Sequence, residues 1–281
     1  MATIDIPQGR IEYRAAGPAA SPVPPVVFVH GLLVNAELWT PVADALAAHG
    51  VRSYAPDLPL GSHRVPLPVD TDLGPRAVAR LVIEFVTALG LTDLTLVGND
   101  TGGAICQFLI DTDHSRIGRL VLTNCDAFDR FPPPPFGVIV KVGRRPAGLR
   151  AMMTTVRPTA LRHSLLGFGG LARRPLDAAL TRRWITPALT DQAVRRNTAE
   201  FLRRVDPKDL LDVSTRLDRF PKPVRLVWGA ADPFFKIQFA RRLRDAFADA
   251  TLVEIAGGRT FLPLDEPERL ADEILRQFAR T

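Results

Sequence analysis

Four short stretches of this chain carry residue types able to do chemistry, and one is sharper than the others. In Gly98-Asn99-Asp100-Thr101-Gly102-Gly103, small residues stand two before and two after a carboxylic acid, between a β-rich run and a helical pattern. That spacing lets the backbone bend sharply enough to lift the middle side chain above a sheet. An acid held there sits at a helix N-terminus, where unpaired N–H groups and the helix dipole favour the anion. An ionised carboxylate in such a place is a nucleophile or a base. Asp is also a preferred helix N-cap and could do no more than that, but the glycines at 98, 102 and 103 and a matching His30-Gly31-Leu32-Leu33 upstream favour the chemical reading. Asp232 and the pair Arg259-Thr260 complete the set.

Such residues meet only if the strands that carry them end side by side. Short β-rich runs over 10–15, 26–29, 51–54, 94–97 and 120–122 alternate with helical patterns over 36–48, 75–89 and 102–111, and the pattern resumes with runs at 224–228 and 251–255 and helices at 238–247 and 267–278. This alternation predicts an α/β fold with a doubly wound, mostly parallel sheet. The four-proline run 132–135 cannot be crossed by a helix or a strand, and beyond it lie short helical pieces broken by Gly and Pro. The expected organisation is a core over 1–130, a helical insert over 131–212, and a second part of the core over 213–281. In an open parallel sheet, ligands bind beyond the carboxyl ends of the strands, where all four stretches fall.

Composition sets the outer limits. The chain has 281 residues, 46% hydrophobic and 23% charged, which excludes disordered and fibrous classes. No apolar run approaches the roughly 20 residues of a membrane span, and the start of the chain lacks a leader pattern, so a cytoplasmic address is expected. Cys106 and Cys125 have no spaced Cys or His partners; they read as reduced core thiols, with no metal site and no disulfide. No nicotinamide or flavin fingerprint follows the first strand, so no cofactor is expected. The net charge of +6 is uneven: Arg130 to Leu210 holds 14 Arg and 2 Lys against 5 acids, a local +11. These arginines come as scattered pairs without interleaved aromatics, which argues for a solvated face and against nucleic acid or membrane as partner.

Taken together, His30-Gly31, the bend around Asp100, Trp228-Gly229-Ala230-Ala231-Asp232-Pro233 and Phe261-Leu262-Pro263-Leu264-Asp265-Glu266-Pro267 resemble the α/β-hydrolase superfamily, with the insert in the place of its helical cap. An Asp at the bend resembles the branch that contains haloalkane dehalogenases and epoxide hydrolases. There the carboxylate attacks an electrophilic carbon, and a histidine-activated water hydrolyses the resulting ester. The resemblance implies an oxyanion hole from the N–H groups of Leu32 and Thr101, a contribution of about 3 to 4 kcal/mol per donor in such sites. It also implies Asp232 as the acid that orients the histidine. Asp126 occupies a position where some relatives place that acid, and with Asn124 and Cys125 it could equally make the turn into the insert.

The chain departs from this pattern where the histidine belongs. It reads Arg259-Thr260-Phe261-Leu262-Pro263, with Thr260 in the histidine's place and no histidine after His163. Neither a threonine hydroxyl nor an arginine can take a proton from water near neutral pH. His30 shapes the turn after its strand; His49 and His114 sit at helix ends; His163 lies in the insert; His63, on the loop after the 51–54 run, is the one placed to edge a site. Thr101 follows Asp100 where dehalogenases hold halide with Trp, and the only tyrosines, Tyr13 and Tyr54, lie outside the insert, which disfavours both named substrate classes.

Three functions stay open. The first is an enzyme acting on a small organic molecule through Asp100 as nucleophile, with an incomplete triad. The second is an isomerase or lyase using Asp100 as a base. The third is a small-ligand binder that has lost catalysis. Arg259 beneath a basic insert suggests an anionic ligand, unless it pairs with Asp232 or Asp265. The oligomeric state is not encoded in any motif.

Overall fold

In the computed structural model, which describes residues 1–279, the carboxyl ends of the parallel strands converge under a helical layer. Eight strands, β1 (Ala2–Ile6), β2 (Gly9–Ala16), β3 (Val26–Val29), β4 (Ser53–Pro56), β5 (Leu94–Asp100), β6 (Ile117–Cys125), β7 (Val224–Gly229) and β8 (Ala250–Ile255), form one sheet in the order β1-β2-β4-β3-β5-β6-β7-β8. From β4 to β8 in this order the pairing is parallel; β1 and β2 are antiparallel. The helices are α1 (Thr40–Ala48), α2 (Pro75–Ala88), α3 (Thr101–Thr112), α4 (Gly137–Gly143), α5 (Pro146–Thr155), α6 (Thr159–Arg162), α7 (Ala178–Thr190), α8 (Gln192–Arg203), α9 (Pro207–Ser214), α10 (Ile237–Ala246), α11 (Leu262–Asp265) and α12 (Pro267–Phe278).

The strands read as unbroken apolar runs because both faces of the sheet are covered. Val27, Val29, Leu96, Leu122 and Trp228 face one layer with residues of α2, α3 and α10. Val26, Phe28, Val97, Val121 and Val227 face the other, with residues of α1 and α12. Strand β4 starts at Ser53 and not at Val51, since the Val51 N–H donates to Leu46 O and closes the turn after α1. Strands β5 and β6 run on to Asp100 and Cys125, past their apolar stretches, so Asp100 is the last residue of its strand.

The cap comprises α4 to α8 and is fastened to the core by buried hydrogen bonds. Trp184 Nε1 donates to Asn35 Oδ1 (3.1 Å), Ser62 Oγ donates to Trp184 O (2.7 Å), and Leu67 N donates to Asn197 Oδ1 (2.9 Å). Asp265 accepts the N–H groups of Arg173 and Arg174, pinning the cap beside α11. Helix α9 packs on α3 through Leu210 and Val213 in the core cluster, and Arg216 just after it pairs with Asp111 (2.9 Å). On this packing we place the return to the core ahead of Pro207, earlier than the expected boundary at 212. Among the described residues no helix is long and apolar enough to cross a membrane.

Close approach of α3 to the sheet depends on Gly102, where an added Cβ would lie 2.2 Å from Val29 O. Gly102→Ala is expected to destabilise the protein on the order of 3 kcal/mol, since backbone has to move to admit the methyl. Gly137→Ala, where nothing lies within 4 Å, should change stability little, and denaturant unfolding of the two variants measures the difference.

Candidate active site

Asp100 closes β5 and caps α3 with φ 56° and ψ −133°, a conformation an L residue rarely adopts. The bend is tolerated because its neighbours lack side chains: a Cβ on Gly31 would sit 2.6 Å from Asp100 Cβ. One carboxyl oxygen, Oδ1, accepts the Thr101 N–H and the Thr101 hydroxyl (3.1 Å). The other, Oδ2, takes no hydrogen bond among the described residues. Asp126 follows β6, the strand paired with β5, and its N–H reaches Asp100 O at 3.4 Å. Asp126 is 1% exposed, and among the described residues neither carboxyl oxygen takes a hydrogen bond.

Asp100 and Asp126 both line one cavity of about 280 Å³ between core and cap. Leu32, Thr101 and Phe235 line it from the core; Phe136, Met152, Met153 and Phe168 line it from the cap. Its other lining residues are almost all apolar, and Leu166, 89% exposed, stands at its rim. The cap residues carry no motif, and only their apolar character could have signalled a lining. Among the described residues no Arg, Lys or His lines this space. Arg259 is elsewhere: its guanidinium donates to Ala172 O (3.3 Å) and pairs with neither Asp232 nor Asp265. The expectation of an anionic ligand held by Arg259 therefore lacks its cation, and an anion in the cavity would meet two carboxyls. Several arginines of the basic insert are spent on pairs with Glu37, Glu200 and Glu266, while Arg150, Arg157 and Arg182 flank a groove on the cap.

Asp232 and Thr260, expected at the acid and histidine positions of the resemblance, form a closed knot. Asp232 Oδ1 accepts the N–H groups of Phe234 (2.8 Å) and Phe235 (3.0 Å). Its Oδ2 accepts Asn124 Nδ2 (2.8 Å) and the Thr260 hydroxyl (2.8 Å). Thr260 is fully buried, and its carbonyl accepts Asn99 Nδ2 (2.7 Å). Neither Asp232 nor Thr260 lines the cavity. Asn124, which sequence reasoning treated as a turn residue, ties β6 to β7 and to this acid. An Asn at the polar end of an apolar strand was the available signal.

No histidine fills the gap. His63 is buried away from the cavity, with Nε2 3.3 Å from Asn197 Oδ1 and Nδ1 facing the Gly61 N–H, and burial depresses it to about 4. His30 accepts the Leu58 N–H on Nε2 and is likewise depressed by burial to about 4, so it stays neutral. His163 contacts Thr181 on the cap.

Burial decides the charges. It pushes Asp100 up to about 7, against the hydrogen bonds from Thr101, and the nearby Asp232 adds to the rise. The helix N-terminus alone was expected to keep this acid ionised; desolvation outweighs it. Asp126 is raised further, first by burial and then by the charge of Asp100. The Thr101 hydroxyl is the one group that lowers it, and that hydroxyl's single proton already goes to Asp100. Of the two, Asp126 holds a proton the more firmly.

A mostly parallel sheet with a carboxylate on a strand-to-helix bend, under a helical cap, defines an α/β-hydrolase architecture. The sequence profile of the Alpha/beta hydrolase family matches residues 26–273, and the chain belongs to that family. Haloalkane dehalogenase 2 of Mycobacterium tuberculosis is 28% identical over 286 aligned positions, which cover 98% of this chain and 93% of that protein. A putative ancestral haloalkane dehalogenase superposes with a TM-score of 0.79 at 20% identity, over 100% of this chain and 99% of that one. An epoxide hydrolase solved without ligand gives 0.79 at 21%, over 99% and 98%.

The four donors on Asp232 generate a stability prediction. Asp232→Ala leaves them buried without an acceptor and is expected to cost about 3 kcal/mol or more, read by denaturant unfolding. An acid that served catalysis alone would leave the unfolding midpoint near wild type.

Proposed function

We propose that this protein is a hydrolase-fold enzyme in which Asp100 attacks an electrophilic carbon of a small, neutral, apolar molecule and forms an ester through Oδ2. The observation that carries this reading is the division of labour at Asp100: Oδ1 is held by Thr101 while Oδ2 is free beside an apolar cavity. The Thr101 N–H already rests on the oxygen that becomes the ester carbonyl, where charge develops when water attacks. The dehalogenase relatives support the class of reaction. Thr101, at the position where the resemblance expects a halide-holding Trp, leaves the leaving group unassigned.

The test is a rapid acid quench with 1-bromohexane and, separately, 1,2-epoxyhexane, followed by intact mass and peptide mapping. One equivalent of alkyl or hydroxyalkyl group is expected on Asp100, and none on Asp100→Asn. Unmodified protein that nonetheless turns either probe over would defeat the proposal.

The pH dependence has a definite sign. The attacking form is the anion and the carboxyl titrates near 7, so the rate of ester formation should climb about tenfold per pH unit below 7 and level off above it. An Asp at its ordinary value would give a flat profile above pH 5.

That same elevated value favours a second reading, because a carboxyl near 7 suits a general base acting on a carbon acid. Solvent deuterium in recovered carbonyl substrate, with no mass added to Asp100, would select it.

A further inference from the structure

Attack by Asp100 leaves Asp126 without a task, although this residue lines the same cavity and its two buried carboxyl oxygens take no hydrogen bond among the described residues. Acids that serve structure in this fold look different. Asp265 accepts two backbone N–H groups and Asp232 accepts two plus two side chains. A buried carboxyl kept free of donors, beside the reacting acid, is placed for proton transfer.

We propose that Asp126 is the base that activates water to release the ester from Asp100, the task for which no imidazole is present. This rests on the reading of Asp100 as nucleophile. In the resting site the pair holds one proton, on Asp126, because two adjacent carboxylates do not both ionise readily in a buried space. Asp100 Oδ2 bonds to the electrophilic carbon, and the bonding pair of the breaking bond departs with the leaving group. Asp100 is then a neutral ester, and the repulsion that added to burial in keeping Asp126 protonated has gone. Asp126 releases its proton to solvent through the cavity mouth and becomes a carboxylate.

A water molecule then attacks Asp100 Cγ while Asp126 takes one of its protons, and the developing charge falls on Oδ1, held by the Thr101 N–H. Collapse breaks the bond between Cγ and Oδ2, and Asp126 returns the proton to the departing alkoxide. The alcohol carries away Oδ2, the water oxygen stays in Asp100, and the proton on the new Asp100 carboxyl passes to Asp126. For an alkyl halide the balance is halide, alcohol and one proton from halide and water.

Asp126→Asn tests this with 1-bromohexane, following bromide release and Asp100 mass together. The expected result is a bromide burst near one equivalent per site, an ester that persists on Asp100, and steady turnover at least ~100-fold below wild type. The burst amplitude itself counts folded, reactive sites. Asp126→Glu, which restores a carboxyl, should recover part of the turnover. Wild type in H2 18O under single-turnover conditions should place one 18O in the Asp100 peptide. Asp126→Asn turning over like wild type, or losing its burst while wild type keeps one, overturns the assignment of Asp126. A wild type that forms no Asp100 ester removes the nucleophile reading and this one with it.

Discussion

Asp100 stands at φ 56° and ψ −133°, a conformation that costs a residue with a side chain about 1–3 kcal/mol, and the surrounding chain is built to hold it there. Gly31 and Gly102 remove the atoms that would collide with Asp100 and with Val29 O. The Thr101 N–H and hydroxyl then fix one carboxyl oxygen, so the other has a single direction in which to act. Relaxing the bend would move that oxygen relative to the cavity that Asp100 lines.

The cavity owes its character to what surrounds the two acids. Apolar side chains from α4, α5 and the strap around Phe168 exclude the water that would normally solvate a carboxylate. Desolvation therefore raises both Asp100 and Asp126, and the charge of the first adds to the rise of the second. A cation in the cavity would have quenched this coupling. The arginines of the basic insert stay outside it.

Much of the architecture was legible because a sheet covered on both faces leaves unbroken Val and Leu runs, as in β3 and β7. Strand β1 was missed because it is an edge strand in which only Ile6 is buried, so its pattern carries little apolar signal. The ends of β5 and β6 were set too early because these strands continue through polar residues that bond one another, as Asn99 Nδ2 does with Thr123 Oγ1 (2.8 Å). The bend at Asp100 was legible because tight backbone geometry demands small residues nearby in sequence. The state of Asp126 was not, since it depends on which donors fail to reach it, and that is a property of the folded surroundings. Arg259 misled for a related reason: a place beside Thr260 in the chain says little about where a long side chain ends.

The knot around Asp232 gives this acid and Thr260 a structural task. Asp232 fixes the 232–235 turn through two backbone N–H groups and ties β6 to the 260 loop through Asn124 and Thr260. With all of its accepting positions used, it has no free capacity to steer a proton at Asp100. Asp126 has the opposite balance, with both oxygens unengaged and direct electrostatic contact with Asp100. The site therefore divides its acids by hydrogen bonding: the satisfied one holds the structure together, and the unsatisfied one is the group to which we assign the proton transfer.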